Sequence, residues 1–231
     1  MKQYILDNNT KQFNKDDIHH ILNVMRFKNN DKVIVCFNNE CFMTYLKIDG
    51  KSVSYEIIEK VPKKNYTSIT LLQGNIKGNK IDTTVKYATI FGVTSIIISD
   101  FKRSISVSKN IEHKLIRYNK IAKEASELSK RPYIPNIIIN SKIDTINYNE
   151  YDLIILADED ENKQKIDDVF NTNKTYNNIL IIIGPEGGID PDERIFFKKK
   201  NAKIVTLGKY IYPSEIASLK LLSLIDNSFD K

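Results

Sequence analysis

The sequence predicts an α/β protein with a small β-rich N-terminal domain over residues 1–66 and a mostly parallel, doubly covered sheet domain over residues 67–231. Three observations predict it. Short strand-like runs separated by polar turns fill the first quarter of the chain. Beyond Pro62, strands and helices alternate, and the strands are near-continuous Ile/Leu/Val, as in a sheet covered on both faces. One such run, Ile181-Ile182-Ile183, ends abruptly in Gly184-Pro185-Glu186-Gly187-Gly188 and leads directly into a helix start.

The first domain begins with a helical pattern over Asp16–Phe27, where Ile18, Ile21, Leu22 and Met25 share one face. Strand-like runs follow at Lys32–Phe37, Cys41–Ile48 and Val53–Val61. Asn38-Asn39-Glu40 and Asp49-Gly50-Lys51 supply the turns, and short strands so closely spaced indicate a small barrel. Pro62-Lys63-Lys64-Asn65 reads as a linker. The second domain reads as strand Ser68–Leu72, helix Lys80–Phe91, strand Thr94–Ser99, helix Ile111–Ser129, and strands Tyr133–Ile139 and Asp152–Ala157. A helix near Lys163–Phe170, strand Ile179–Ile183, helix Pro191–Lys200, strand Lys203–Thr206 and a final helix Ser214–Ser228 complete it. In the long central helix Ile111, Leu115, Tyr118, Ala122 and Ala125 recur at helical spacing. Burying them leaves Lys114, Arg117, Lys120 and Lys123 for water or phosphate.

Composition bounds the function. Hydrophobic residues make up 41% of 231, mean hydropathy is -0.36, and no apolar run reaches the ~18 residues of a membrane span. The start, Met1-Lys2-Gln3-Tyr4-Ile5-Leu6-Asp7, lacks a signal-peptide apolar region, so a cytoplasmic protein is expected. Cys36 and Cys41 are compatible with buried thiols, a disulfide or half a metal site. Buried thiols are the expectation, and no metal centre is, because no second Cys/His pair completes a zinc set. Net charge is +6, and Lys102–Arg131 alone, with nine Lys/Arg against three acids, accounts for all of it. That concentration is the electrostatic footprint of a nucleic-acid partner.

The Gly-Pro-Glu-Gly-Gly turn exposes backbone at the carboxyl end of a buried strand, where open α/β sheets bind small molecules. Asp190, Pro191 and Glu193 then form an N-cap, a first-turn proline and a capping-box carboxylate. Two other segments have the same form. Leu207-Gly208-Lys209-Tyr210-Ile211-Tyr212-Pro213-Ser214-Glu215-Ile216-Ala217 follows a short strand and opens a helix that Ser214 can cap. Leu156-Ala157-Asp158-Glu159 is a strand end running into polar residues. Three such strand ends meeting around one ligand is the expectation.

These segments, in this order, resemble the small-subunit (16S) ribosomal RNA uridine-N3 methyltransferases of the SPOUT superfamily over essentially the whole length. His20-Ile21-Leu22-Asn23-Val24-Met25-Arg26 is similar to the family's His-x-x-x-Val-Leu-Arg, and Ala88-Thr89-Ile90-Phe91-Gly92-Val93 to its Ala-Thr-Glu-Leu-Gly-Val. Arg103-Ser104, Glu124-Ala125, Ser129, Arg131 and Pro135 resemble further pieces. Ile183–Gly188 with Glu193 matches Ile-Gly-Pro-Glu-Gly-Gly and its trailing Glu. Leu207-Gly208, Ile211, Ser214-Glu215 and Ala217 resemble Leu-Gly-x-Arg-Ile-Leu-Arg-Thr-Glu-Thr-Ala. Within that last motif the family's two Arg are Tyr210 and Pro213 here, and its second Leu is Tyr212. Ile90, Leu128 and Lys102 replace a Glu, a Gln and a Glu elsewhere.

The resemblance implies S-adenosylmethionine as methyl donor, ribosomal RNA of the small subunit as partner, an N-terminal PUA-like RNA-binding barrel, and a knotted (trefoil-knot) C-terminal SPOUT domain working as a homodimer. It places the cofactor on Leu156, Ile183, Gly184, Pro185, Glu186, Gly187, Gly188, Leu207, Gly208, Ile211, Ser214 and Ala217. RNA contacts are expected from His20, Arg26, Arg103, Arg117, Lys123 and Arg131, and Glu215 is the candidate catalytic carboxylate. Glu186 is read as tying its turn together. Two other readings fit the same residues: a SPOUT methylase of another nucleoside position, such as a ribose 2′-hydroxyl, and an RNA-binding assembly factor without catalysis.

Overall fold

The computed structural model describes residues 1–62, 67–105, 110–140, 142–170 and 175–229. Lys63, Lys64 and Asn65 of the expected linker and Lys109 of the basic segment lie outside the described residues. The chain forms two compact units, Met1–Asn65 with Lys123–Ile134, and Tyr66–Ala122 with Pro135–Lys231.

The first unit is built on a four-stranded sheet of β1 (Gln3–Ile5), β2 (Lys32–Phe37), β3 (Glu40–Asp49) and β4 (Ser52–Lys60), in that order. Asn38 and Asn39 adopt positive φ, 51° and 59°, and form the two-residue turn between β2 and β3. Such a turn has the twist that an antiparallel pair needs. It also fixes the register, so that Cys36 stands directly opposite Cys41. Here the expectation of free thiols is corrected: the two are joined in a disulfide, with Cα atoms 4.1 Å apart. Tyr4, Ile21, Val33, Val35 and Leu46 form the core of this unit.

The expected helix over Asp16–Phe27 is shorter and changes character. α1 (Lys15–His19) is capped by Asn14 with Asp17 in a reciprocal capping box. Residues His20–Val24 then form a wider π-helical turn, closed by the Met25 N–H on the His20 carbonyl at 2.8 Å. The added residue turns Met25 off the apolar face: Ile21 is fully buried while Met25 is 43% exposed.

The second unit holds β5 (Ser68–Gly74), α2 (Lys80–Ile90), β6 (Ser95–Ser99), most of α3 (Ile111–Leu128), β7 (Asn136–Asn140), β8 (Leu153–Ala157), α4 (Ile166–Phe170), β9 (Asn178–Ile183), α5 (Pro191–Lys199), β10 (Lys203–Val205) and α6 (Ser214–Phe229). Its six strands lie in the order β10-β8-β9-β5-β6-β7, and every pair is parallel. β7 starts three residues later than the pattern predicts. Pro135 cannot donate to the ladder, and the first bond to the neighbouring chain comes from Asn136, to Thr94 O at 3.0 Å.

From β5 the chain works outward through β6 and β7, then returns to the other side of β5 with β9, β8 and β10. The sheet therefore has a topological switch point between β5 and β9, the place where α/β folds open a crevice at the strands' carboxyl ends. Ile179, Leu180, Ile181 and Ile182 are completely buried on both faces of the sheet. One face packs Leu72, Ile154, Leu156, Leu180 and Ile182 against Phe101, Ile189 and Phe197.

Candidate functional site

β8, β9 and β10 end level with one another, Ala157 standing in register with both Ile183 and Val205. The loops leaving these ends enclose a cleft of about 400 Å³, a size suited to a small-molecule site. Ala157, Asp158 and Glu159 line it from the first loop. Ile183, Gly184, Pro185, Glu186, Gly188 and Ile189 come from the second, residues 206–214 from the third, and Ala217 from α6.

Of the residues expected around a cofactor, Ile183, Gly184, Pro185, Glu186, Gly188, Leu207, Gly208, Ile211, Ser214 and Ala217 line this cleft. Leu156 does not: strand alternation turns it into the core beside Ile182, and its neighbour Ala157 reaches the cleft instead. Gly187 faces away, since a Cβ there would meet Arg103 O at 2.9 Å.

Close packing explains the glycines. A Cβ on Gly74, at the end of β5, would lie 2.5 Å from Pro185 N, so β5 and the 184–188 turn approach backbone to backbone. Gly188 has φ +73°, and a Cβ there would come within 2.5 Å of Glu159 Oε1. After the turn, Asp190 accepts from Asp192 N–H and Glu193 from Asp190 N–H, the capping box read from the sequence. Glu193 also accepts the Lys102 N–H at 2.8 Å.

Ser214 departs from its expected role. Its hydroxyl donates to Gly184 O at 2.5 Å and accepts from the Gln73 amide at 2.7 Å, so it joins the third loop to the second instead of capping α6 with its side chain. Glu186 ties the 184–188 turn to the segment after β5, accepting the Lys77 N–H at 3.0 Å, and not to its own turn. Glu215 lies outside the cleft lining. Lys80 Nζ stands 3.5 Å from both Glu186 and Glu215 and joins the starts of α2 and α6 to the turn.

Sequence reasoning passed over Gln73, Gly74 and Lys80. No local signal marked them: Gly74 ends β5 after Gln73, and its meaning lies in its close approach to Pro185. Asp158 was named only as part of a strand end. One of its oxygens takes Arg194 at 2.7 Å, and the other is buried on the cleft wall with no hydrogen-bond partner.

The expected RNA contacts are placed as follows. Arg26 is exposed and holds φ +53°. Arg103 reaches Gly187 O at 3.4 Å and Asp190 at 3.7 Å, and remains about half exposed. Arg117 is exposed and bonds Asp82 and Asn79. Lys123, by contrast, sits between Asp17 at 2.7 Å and Glu127 at 3.6 Å and is mostly covered. Arg131 is buried, with its guanidinium over the Tyr133 ring at 4.6 Å and its carbonyl accepting from Gln3. His20 Nδ1 meets the Tyr4 hydroxyl at 2.9 Å, and partial burial, together with the nearby Lys2 charge, holds its pKa below the ordinary histidine value. Among the described residues no group of His, Cys, Asp or Glu could hold a metal ion, and no helix is long and apolar enough to cross a membrane.

The RNA methyltransferase domain family matches residues 62–226, and the RNA methyltransferase PUA domain family matches residues 13–58. The chain belongs to the RNA methyltransferase family. Among members with a named activity, Ribosomal RNA small subunit methyltransferase E of Bacillus subtilis is 28% identical, the alignment covering 97% of this chain and 92% of that one. The enzyme of the same name from Rickettsia conorii is 30% identical over 90% of this chain and 85% of its own. The fold is shared with solved members. A Ribosomal RNA small subunit methyltransferase E from Neisseria gonorrhoeae bound to S-adenosyl methionine superposes with TM-score 0.82 at 23% identity, over 98% of this chain and 97% of that one. A putative methyltransferase from Legionella pneumophila in complex with SAM gives 0.84 at 18%, over 99% and 98%. The SPOUT-like architecture of this RNA methyltransferase, with its PUA domain, is thereby fixed.

Proposed function

We propose that this RNA methyltransferase uses S-adenosylmethionine to methylate N3 of a uridine in 16S ribosomal RNA of the small subunit, as a cytoplasmic homodimer with a knotted C-terminal domain. The observation that carries the reading is the cleft formed by three level strand ends, with its Gly184–Gly188 turn, in a chain of this family. The cleft fits the cofactor in chemistry as well as size. Ile183, Ile189, Leu207, Ile211 and Ala217 offer apolar walls for an adenine. Gly184, Gly188 and Gly208 line the cleft without side chains, and the buried Asp158 carboxylate holds an acceptor without a partner. When bound, the cofactor supplies an electrophilic methyl group on a sulfonium.

The chain's own contribution is alignment. The Gln73–Ser214–Gly184 bonds and the Lys80 bridge hold the second and third loops as one rigid rim, which is what a proximity effect requires. Uridine N3 must also lose its proton. Glu186 is a carboxylate on the cleft wall, whereas Glu215 stands behind it and acts on Lys80. Arg26, Arg103 and Arg117 are the cations proposed for phosphate contact, while Lys123 and Arg131 hold the first unit together. The test uses purified protein, methyl-labelled S-adenosylmethionine and small ribosomal subunits lacking the modification. Label recovered as N3-methyluridine after digestion is expected. Label in another nucleoside, or cofactor binding without transfer, contradicts the reading.

A further inference from the structure

We propose that Tyr210 is a stacking platform for the target nucleobase at the mouth of the cleft. The inference rests on the RNA-methylation reading and names a recognition element within it. Tyr210 lines the cleft and yet is 73% exposed, and the adjoining Ile211 is 75% exposed. Single exposed apolar side chains are ordinary on a protein surface. Two in succession on the rim of an enclosed cleft present a continuous apolar ledge. Among the described residues Tyr210 meets no other ring and no cation. Its neighbour Tyr212, also in the lining, is covered by the Lys220 ammonium 4.9 Å from its ring. The ledge thus offers one open ring, and Lys209, next to it in the chain, also lines the cleft.

This pattern is chemically specific. A free aromatic face suits a nucleobase, because every base has a π-face to stack. An enzyme that acts on a base edge must hold the base out of its stack, and a ledge at the mouth of the donor cleft is where an extruded base needs support. Where the resembled motif has arginines, this chain has Tyr210 and Pro213. Charge has been exchanged for ring surface at the position that faces solvent.

The experiment compares wild type with Tyr210→Ala and Tyr210→Phe. Three quantities are read: KM and kcat for small ribosomal subunits lacking the modification, affinity of the cofactor-free protein for a uridine-containing RNA oligonucleotide, and affinity for S-adenosylmethionine. Losing one base stack should raise KM and weaken oligonucleotide binding by about 5- to 100-fold in Tyr210→Ala. Tyr210→Phe should stay within about threefold of wild type, because stacking needs the ring and not the hydroxyl. Cofactor affinity should not change. Unchanged RNA affinity in Tyr210→Ala overturns the proposal. So does a parallel loss of cofactor affinity, which would make the Tyr210 ring a contact for the donor and not for the base, or a change in sedimentation, which would make it a contact between copies. If wild type methylates some other atom, the oligonucleotide arm still decides the platform on its own.

Discussion

Lys123 shows how a charge that looks available in the sequence is used inside the fold. Its ammonium is shared between Asp17 and Glu127, and Glu127 is also the acceptor for the Ile5 N–H at 2.9 Å. Burial raises the Glu127 pKa, against the pull of that hydrogen bond and of Lys123. A carboxyl whose folded pKa is raised adds stability that is complete below its unfolded value and is lost as pH climbs through the folded value. Removing Lys123 raises that pKa further and leaves Asp17 without its ammonium partner and Glu127 with only Lys2, 3.8 Å away. Lys123→Met should therefore destabilise by up to about 3–5 kcal/mol near neutral pH, and by less well below pH 4, where the Glu127 carboxyl holds its proton in the unfolded chain as well. Chemical denaturation at the two pH values checks this; an equal loss at both would remove Glu127 from the account. Gly74 is the other residue whose role is steric. Gly74→Ala should push Pro185 away from β5 and cost about 1–3 kcal/mol by overpacking. Cofactor affinity should fall with it, as measured by thermal unfolding and calorimetric titration.

At the scale of elements, what was legible depended on whether the signal was local. The α5 start was fully legible, because Asp190, Pro191 and Glu193 each act within one turn. Asp190→Ala should cost about 0.5–2 kcal/mol and also remove one of the two carboxylates that Lys102 pairs with, leaving it on Asp192. The loss should appear as faster hydrogen exchange at the first α5 amides, and an unchanged exchange rate would show that the cap is redundant. β1 was not legible. It has three residues, all buried, which is too short for any period to show, and it exists only because β2 lies parallel beside it. The π-turn at His20–Val24 was hidden because apolar spacing reports a face and not the hydrogen-bond pattern that sets it. Ser214 reads as a cap in any sequence. Only Gly184 O and the Gln73 amide, distant in the chain, show that its hydroxyl is committed elsewhere.

At the scale of the molecule, parallel order brings together what the sequence separates. Strand ends at Ala157, Ile183 and Val205 come from three distant stretches, yet the β10-β8-β9 order and their common register set the three loops around one cleft. The sequence indicated which loops were unusual through glycines and caps. It could not give Gly74, whose meaning lies in contact with Pro185, nor show that Lys80 couples Glu186 to Glu215. The basic segment was visible as charge, but its division into exposed Arg117, paired Lys123 and buried Arg131 is a property of packing.

The most direct measurement is mass spectrometry of nucleosides from small-subunit ribosomal RNA in cells with and without the gene. N3-methyluridine should disappear with the gene and return with the wild-type chain. It should not return with Gly188→Val, which forces a branched side chain onto φ +73° and against Glu159. N3-methyluridine persisting unchanged without the gene would contradict the proposed target.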